Sequence, residues 1–308
     1  LENFVLDGCL HVDDACIQHI LNTCKNIHRL SISNCRKITD KSLRYIREKM
    51  VLGELDIISI SIGGNFNITS SGLEHFFDCT SPTDETVSMT SSSSSNKVRP
   101  PKKAHIKHYL SSIREVNISG LPITDAIFQS MCLYCPHLTS LSVSYSQASV
   151  INEESLVSML KAYNTTLERL EIAWLGCASL GGKFGGDSQA STSVISITDL
   201  SLDFLFSLAI DCKRLQYLDI CGMKCFNISN IQRMIDTRQN LVDNIVMEGV
   251  EYQGGLVGGD SGDGGINDSG EPWVPFTYIN MKFVSNPLGS IAQLDNMITA
   301  NPNIKLIV

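Results

Sequence analysis

Several short stretches carry residue types that could do chemistry, and each lacks a partner that the chemistry requires. In Gly259-Asp260-Ser261-Gly262 a serine stands in a turn-forming setting suited to nucleophilic attack. A serine hydroxyl becomes a useful nucleophile only when a base takes its proton and an acid orients that base on a rigid scaffold. Here it lies in a glycine tract with no histidine close by in sequence, so a hydrolase using this loop is the remotest reading. Read as a calcium loop, Asp260 to Glu271 places Gly265 and Glu271 well, but Gly262 and Gly264 fall where oxygen ligands belong and no helical pattern flanks the segment. Gly181-Gly-Lys-Phe-Gly-Gly186 lacks the Ser/Thr and the helix of a phosphate loop.

The sulfur and imidazole candidates fare no better. Cys132-Leu-Tyr-Cys135 has redox spacing without a redox-fold context, and a structural role is expected. Cys221 and Cys225 have no companion pair for zinc, and His105 and His108 lack further ligands. Lys97, Arg99, Lys102 and Lys103 adjoin Ser91–Ser95 and could serve nuclear import, with a solvated loop as the simpler reading. No catalytic, cofactor or metal residue is therefore assigned, and the expectation is a protein that is not an enzyme.

The elements that could position a site come from a repeat. Ile27 to Leu43 alternates through Leu30 and Ile32, turns at Cys35 and Ile38-Thr39-Asp40, then restarts at helical spacing with Leu43 and Ile46. With a shift of 26 residues the start of the chain superimposes on it: Leu1 on Ile27, Phe4 on Leu30, Leu6 on Ile32, Cys9 on Cys35, Asp14 on Asp40. Further strands are expected from Leu52-Leu55-Ile57, Ile113-Val116-Ile118, Leu138-Leu141-Val143, Leu167-Leu170-Ile172 and Leu215-Leu218-Ile220. Weaker copies stand at Ile245–Met247, Ile279–Met281 and Ile304–Leu306, and Ile197-Thr198-Asp199 is expected to lead the helix of the sixth unit. A strand, a turn and a helix within about 25–29 residues is a leucine-rich repeat. No unit can bury its apolar faces alone, so stacking is expected to give an α/β solenoid of about ten repeats, with a curved parallel sheet on the concave side and helices on the convex side.

Residues 79–104, 176–196 and 251–275 lack apolar periodicity and are rich in Ser, Pro, Lys or Gly, so they are expected to be flexible loop insertions in one solenoid rather than linkers. The formal net charge of −8 gives no electrostatic reason for nucleic-acid or membrane binding, and there is no apolar run long enough to span a bilayer. Aromatics make up only 7%, consistent with aliphatic layers. Eleven cysteines, an odd number with several at equivalent apolar positions, point to a reducing compartment, cytoplasm or nucleus. The sequons at Asn67, Asn117, Asn164 and Asn227 argue mildly against that, but most lie in or beside strand patterns. The start lacks the pattern of a signal peptide and enters in mid-repeat without Met, so the chain is expected to come from something longer.

Between the inward positions stand Arg29, Ser31 and Ser33; Glu115 and Asn117; Arg169 and Glu171; Tyr217 and Asp219. These are expected to face out of the concave sheet and to meet a protein substrate or complex subunit. Cys135-Pro-x-Leu138-x-x-Leu141-x-Val143 and Leu30-x-Ile32-x-x-Cys35-x-x-Ile38-Thr39-Asp40-x-x-Leu43 resemble the cysteine-containing leucine-rich repeats of F-box/LRR proteins and their AMN-like relatives. The resemblance implies a substrate-recognition region of an SCF-type ubiquitin ligase, whose F-box binds a Skp-type adaptor and through it a cullin. No F-box-like stretch precedes the first repeat, so that half is missing or lies upstream of Leu1. The alternative is a scaffold or regulatory repeat protein without a ligase link, such as an AMN-like cell-cycle regulator or a cytoskeletal complex subunit. The register itself can be tested: Leu30→Asp buries a charge in the stacked interior and should cost about 4 kcal/mol, read as a large drop in thermal midpoint.

Overall fold

A computed structural model describes residues 2–79, 109–150, 152–175, 200–223, 226–248, 273–282 and 291–308. Its strands in chain order are β1 (Asn3–Val5), β2 (Arg29–Ser31), β3 (Ser59–Ser61), β4 (Glu115–Asn117), β5 (Pro122–Thr124) and β6 (Ser140–Ser142). They continue with β7 (Gln147–Val150), β8 (Arg169–Glu171), β9 (Tyr217–Asp219), β10 (Tyr278–Asn280) and β11 (Lys305–Ile307). The helices are α1 (Asp14–Thr23), α2 (Asp40–Val51), α3 (Ser70–Phe77), α4 (Asp125–Tyr134), α5 (Glu153–Ala162), α6 (Leu202–Ile210), α7 (Ile228–Glu248) and α8 (Ile291–Ala300).

Nine strands form one parallel sheet in the order β1-β2-β3-β4-β6-β8-β9-β10-β11, and β5 pairs with β7 in a small second sheet. Strand–helix units in this open, unbroken parallel order make a leucine-rich-repeat solenoid. The middle residue of each main strand points inward: Phe4, Leu30, Ile60, Val116, Leu141, Leu170, Leu218, Ile279 and Leu306 share one row. Together with Ile27, Ile32, Ile118, Leu167, Ile172 and the helix residues Leu43, Leu73 and Leu205 they join one aliphatic core.

Three expectations are corrected. The third strand begins at Ser59, so Ile57, Ile60 and Ile62 take the places of Ile27, Leu30 and Ile32, five residues later than Leu52-Leu55-Ile57. Ile245–Met247 lie in α7, not in a strand. The sixth helix is led by Leu200 and the N-cap Ser201, after Ile197-Thr198-Asp199. Of the expected insertions, Cys79 and residues 273–275 are described; the rest lie outside the described residues. Trp273 is packed, its indole donating to the Ile210 carbonyl at 3.1 Å.

The shared turn explains the cysteines. At the second residue after the last inward strand position the backbone is left-handed in Gly8, Asn34, Gly64, Gly120, Tyr145, Trp174 and Gly222. In three of these turns the side chain one residue further on donates back to a strand-end carbonyl of the preceding repeat, while Leu121, Leu175 and Met223 fill that place with apolar side chains in three others. Cys35 Sγ contacts the Leu6 carbonyl at 3.1 Å, Asn65 Nδ2 donates to the Ile32 carbonyl at 2.9 Å, and Ser146 Oγ to the Ile118 carbonyl at 3.3 Å. Asn65 is wholly buried and also accepts the Cys35 amide at 2.7 Å and donates to the Ile62 carbonyl at 2.8 Å. Burial raises the Cys35 thiol above its ordinary value, so it remains a neutral donor.

A second set of links runs along the helix starts. Thr39 caps its own helix through the Lys41 amide at 3.2 Å, but Asp40 does not. Its carboxylate reaches the next repeat and accepts from the Thr69 amide and hydroxyl at 2.8 and 2.7 Å. Gly72 makes room for it, since a Cβ there would stand 2.2 Å from Asp40 Oδ1. Asp14 serves Thr39 and Ser42 in the same way, at 2.6–3.0 Å. Burial alone would raise the Asp14 pKa, but hydrogen bonds from Ser42 and Thr39 outweigh it and hold the carboxyl below its ordinary value. A depressed carboxylate contributes stability above its unfolded pKa of about 3.9 and loses it as pH falls through the folded value. Asp14→Asn should therefore cost about 1 kcal/mol at pH 7, with the gap from wild type closing below about pH 4 in pH-dependent thermal melts.

Candidate functional site

Alternate residues of short parallel strands line up across a sheet, so the outward side chains form straight rows. The first row is Asn3, Arg29, Ser59, Glu115, Ser140, Arg169, Tyr217, Tyr278 and Lys305. The second is Val5, Ser31, Ser61, Asn117, Ser142, Glu171, Asp219, Asn280 and Ile307. Eight of the nine expected face residues stand in these rows, and Ser33 stands just beyond them. Ser33 is only 7% exposed because its hydroxyl bonds Ser61 Oγ at 2.7 Å and its amide bonds Asp7 at 2.8 Å.

The face is cross-linked. Arg29 reaches over Ser59 to Glu115 at 2.8 Å, skipping a strand because serine leaves space. Asn117 Nδ2 donates to Ser61 at 3.1 Å, Ser119 bonds Ser142 at 2.7 Å, and Ser142 donates to Glu171 at 2.7 Å. Arg169 holds Glu171 through two nitrogens at 2.8 and 2.5 Å. The same guanidinium lies 3.6 Å from the Tyr217 ring centroid, Tyr217 stacks on Tyr278 at 4.2 Å and 4°, and Lys305 lies 5.7 Å from the Tyr278 ring. Each exposed ion pair adds little stability. Their joint effect is to fix the rotamers of the face. In its middle Ser59, Ser61, Glu115, Asn117, Arg169 and Glu171 line a shallow depression of about 200 Å³.

Asp219 pairs in register with Glu171 on the neighbouring strand. Burial raises its carboxyl above the ordinary value, with Glu171 adding to the rise, while hydrogen bonds from the Cys221 amide and the Asn280 side chain, both neutral, and the Arg169 charge act the other way. Burial likewise pushes the Tyr217 hydroxyl well up.

Sequence reasoning missed Ser59 and Ser61 through the register error, and Tyr278 and Lys305 because only the inward residues of the weak copies were read. Aligning Asn65 with Cys35 would have recovered the first pair, since both side chains return a donor to the preceding repeat. Cys132 and Cys135 are free thiols at the end of α4; burial pushes Cys132 up to about 11 and Cys135 further, which suits a structural role. Ser261, Cys225, His105, His108, Lys183, the basic group and the Asp260–Glu271 segment lie outside the described residues. Among the described residues no cluster of His, Cys, Asp and Glu could hold a metal ion, and no helix is long and apolar enough to cross a membrane.

No family model matches the chain. A putative RNA-binding protein of Caenorhabditis elegans, EEED8.10, is 35% identical over 75 residues. The match covers 24% of this chain and only 10% of that protein's length. Among solved structures, the Rad7 and Elc1 complex in yeast aligns over 100% of this chain and 80% of that chain, with a TM-score of 0.37 and 14% identity.

Because its raised pKa means that the folded state disfavours the ionised form, Asp219 reduces stability above its unfolded pKa. Asp219→Asn should leave the thermal midpoint at pH 7 unchanged or raise it by about 1–3 °C. Any gain should vanish in melts below about pH 4.

Proposed function

We propose that this solenoid is a non-catalytic recognition module whose concave face binds a protein partner, and that it serves as the substrate-recognition region of an SCF-type F-box/LRR ubiquitin ligase. The observation that carries the first part is the cross-linked sheet face with a serine-lined depression at its centre. Side chains already fixed by one another lose little freedom when a partner docks, which lowers the entropic cost of binding. Small residues in both outward rows of β3, and in β6, let a partner's larger side chains approach the sheet. The mixture of Arg29, Glu115, Arg169, Glu171 and Asp219 suits a protein surface better than a phosphate backbone, which would select a basic face. Among the described residues the outward rows form no such basic face for the nucleic-acid binding that the name of the worm relative suggests.

The ligase assignment is supported by the cysteine-containing repeat motif around Leu30–Leu43 and Cys135–Val143. It is distinguished from a ligase-independent scaffold or regulator by the adaptor. Full-length protein, including any segment upstream of Leu1, should co-purify with a Skp-type adaptor and a cullin. If neither is ever retained, the ligase link fails and the scaffold reading takes its place. The face is tested separately. Ser140→Trp fills the depression and should weaken capture of the co-purifying substrate at least tenfold, about 1.4 kcal/mol, with the thermal midpoint within about 2 °C of wild type. Undiminished capture would rule out the concave face.

A further inference from the structure

The left-handed turn residue is glycine or asparagine in five repeats, at Gly8, Asn34, Gly64, Gly120 and Gly222. In two adjacent repeats it is aromatic, Tyr145 at φ 58° and Trp174 at φ 53°. A bulky side chain in this conformation is strained, whereas glycine is not. The backbone link does not require these rings: at the seven described turns the amide donates to the next repeat at 2.7–2.9 Å whatever the residue. Nor is Tyr145 kept for burial, being 58% exposed. Strain retained at Tyr145, whose ring stays exposed, is a mark of function.

The surroundings specify a ligand. Trp174 lies flat over Gly222, where a Cβ would meet the indole at 2.3 Å, so the glycine gives the ring a fixed seat. Asp219 is brought to these turns: its carboxylate accepts the Cys221 amide at 3.0 Å, and the Cys221 carbonyl accepts the Trp174 amide at 2.9 Å, while Glu171 stands opposite Asp219 in strand register. Partial burial and the neighbouring Asp219 carboxylate raise the Tyr145 hydroxyl above its ordinary value. Glu171 is held by Arg169, while Asp219 accepts hydrogen bonds from neutral donors. An exposed tyrosine ring and a partly buried indole next to half-buried carboxylates attract a cation, and a planar guanidinium can stack on a ring while its N–H groups meet a carboxylate.

We infer that Tyr145, Trp174, Glu171 and Asp219 form a subsite at the rim of the concave face that receives an arginine side chain of the protein partner. The inference rests on the concave-face reading and adds the chemistry of what is recognised. It is tested by panning a randomised heptapeptide library against the 308-residue protein and measuring synthetic versions of the enriched peptides. Arginine should recur at one position, and its replacement by neutral citrulline should weaken binding at least tenfold. Tyr145→Gly and Asp219→Asn should each weaken binding as much, and Tyr145→Gly should keep or raise the thermal midpoint, which separates loss of the subsite from loss of the fold. Enriched peptides without arginine, or peptides indifferent to both variants, overturn the inference. If such peptides are still displaced by Ser140→Trp, the concave-face reading survives; if nothing enriched responds to Ser140→Trp either, both readings fall. An empty selection, or a single-stranded oligouridylate that displaces the arginine peptide and binds more tightly, also overturns it.

Discussion

Where the chain turns left-handed after β1, β2 and β4, a carbonyl at the strand end is left on the inside of the turn, and a side-chain donor from the next repeat comes to it. A thiol from Cys35 supplies it for Leu6, an amide from Asn65 for Ile32 and a hydroxyl from Ser146 for Ile118. Buried backbone acceptors are costly to leave without partners, so where it occurs this link adds to aliphatic packing in fixing the spacing of adjacent repeats. It also accounts for the residue types at Cys35, Asn65 and Ser146, each small, able to donate and tolerant of burial, whereas Leu121, Leu175 and Met223 fill the same place by apolar packing. The Asp14 and Asp40 carboxylates repeat the logic at the helix starts, each serving the Thr of the following repeat. In both places a unit completes its neighbour, which is why one unit has no stable fold of its own.

Two buried arginines extend the same principle to the helix ends. Arg47 from α2 donates to the Asp78 carbonyl at 3.1 Å and to Tyr109, whose own hydroxyl donates to the Phe76 carbonyl. Arg238 from α7 reaches the carbonyls of Leu208, Cys212 and Lys213 at the end of α6, with its guanidinium over Phe276. Burial lowers its pKa to about 10, still far above neutrality, so it stays charged against the negative end of the helix dipole. These contacts hold the convex layer in step with the sheet, and the sheet in turn keeps the outward rows straight. Straight rows are what allow Arg169, Tyr217, Tyr278 and Lys305 to stack across successive strands.

The fold is largely legible in the sequence because a repeat writes the same constraint many times. Leu30, Ile32, Cys35 and Leu43 each have a counterpart 26 residues earlier, in Phe4, Leu6, Cys9 and Ile17, so the chain supplies its own check on the pattern. Errors arise where one copy is atypical. In the third unit Leu52 and Leu55 imitate a strand start, while the true register follows Asn65, which replaces cysteine with a different donor. In α7 the apolar residues at 245–247 sit close enough together to imitate a strand, but they continue a helix of 21 residues. The site is legible as a face and not as a constellation. Alternation places Arg29, Glu115 and Arg169 on one side of the sheet, yet nothing local to Arg29 indicates that it will bridge to Glu115, 86 positions later and two strands away.

The distribution of unfavourable features bears on where function lies. At five of the seven described left-handed turns the residue is the glycine or asparagine that folding alone would select. After β6 and β8 it is not. Two bulky aromatics occupy strained turns, a carboxylate on one strand faces a carboxylate on the next, and burial raises the pKa of the second of them. Each feature is disfavoured by simple physics, and a nearby repeat shows the unstrained choice at the same position, as Gly120 does for Tyr145 and Asn117 for Glu171. A solenoid tolerates such a corner because its stability is spread over many nearest-neighbour contacts, so strain in two repeats leaves the register of the others intact. The geometry of the fold therefore supplies the platform, and departures from its own repeat rule set the chemistry displayed there.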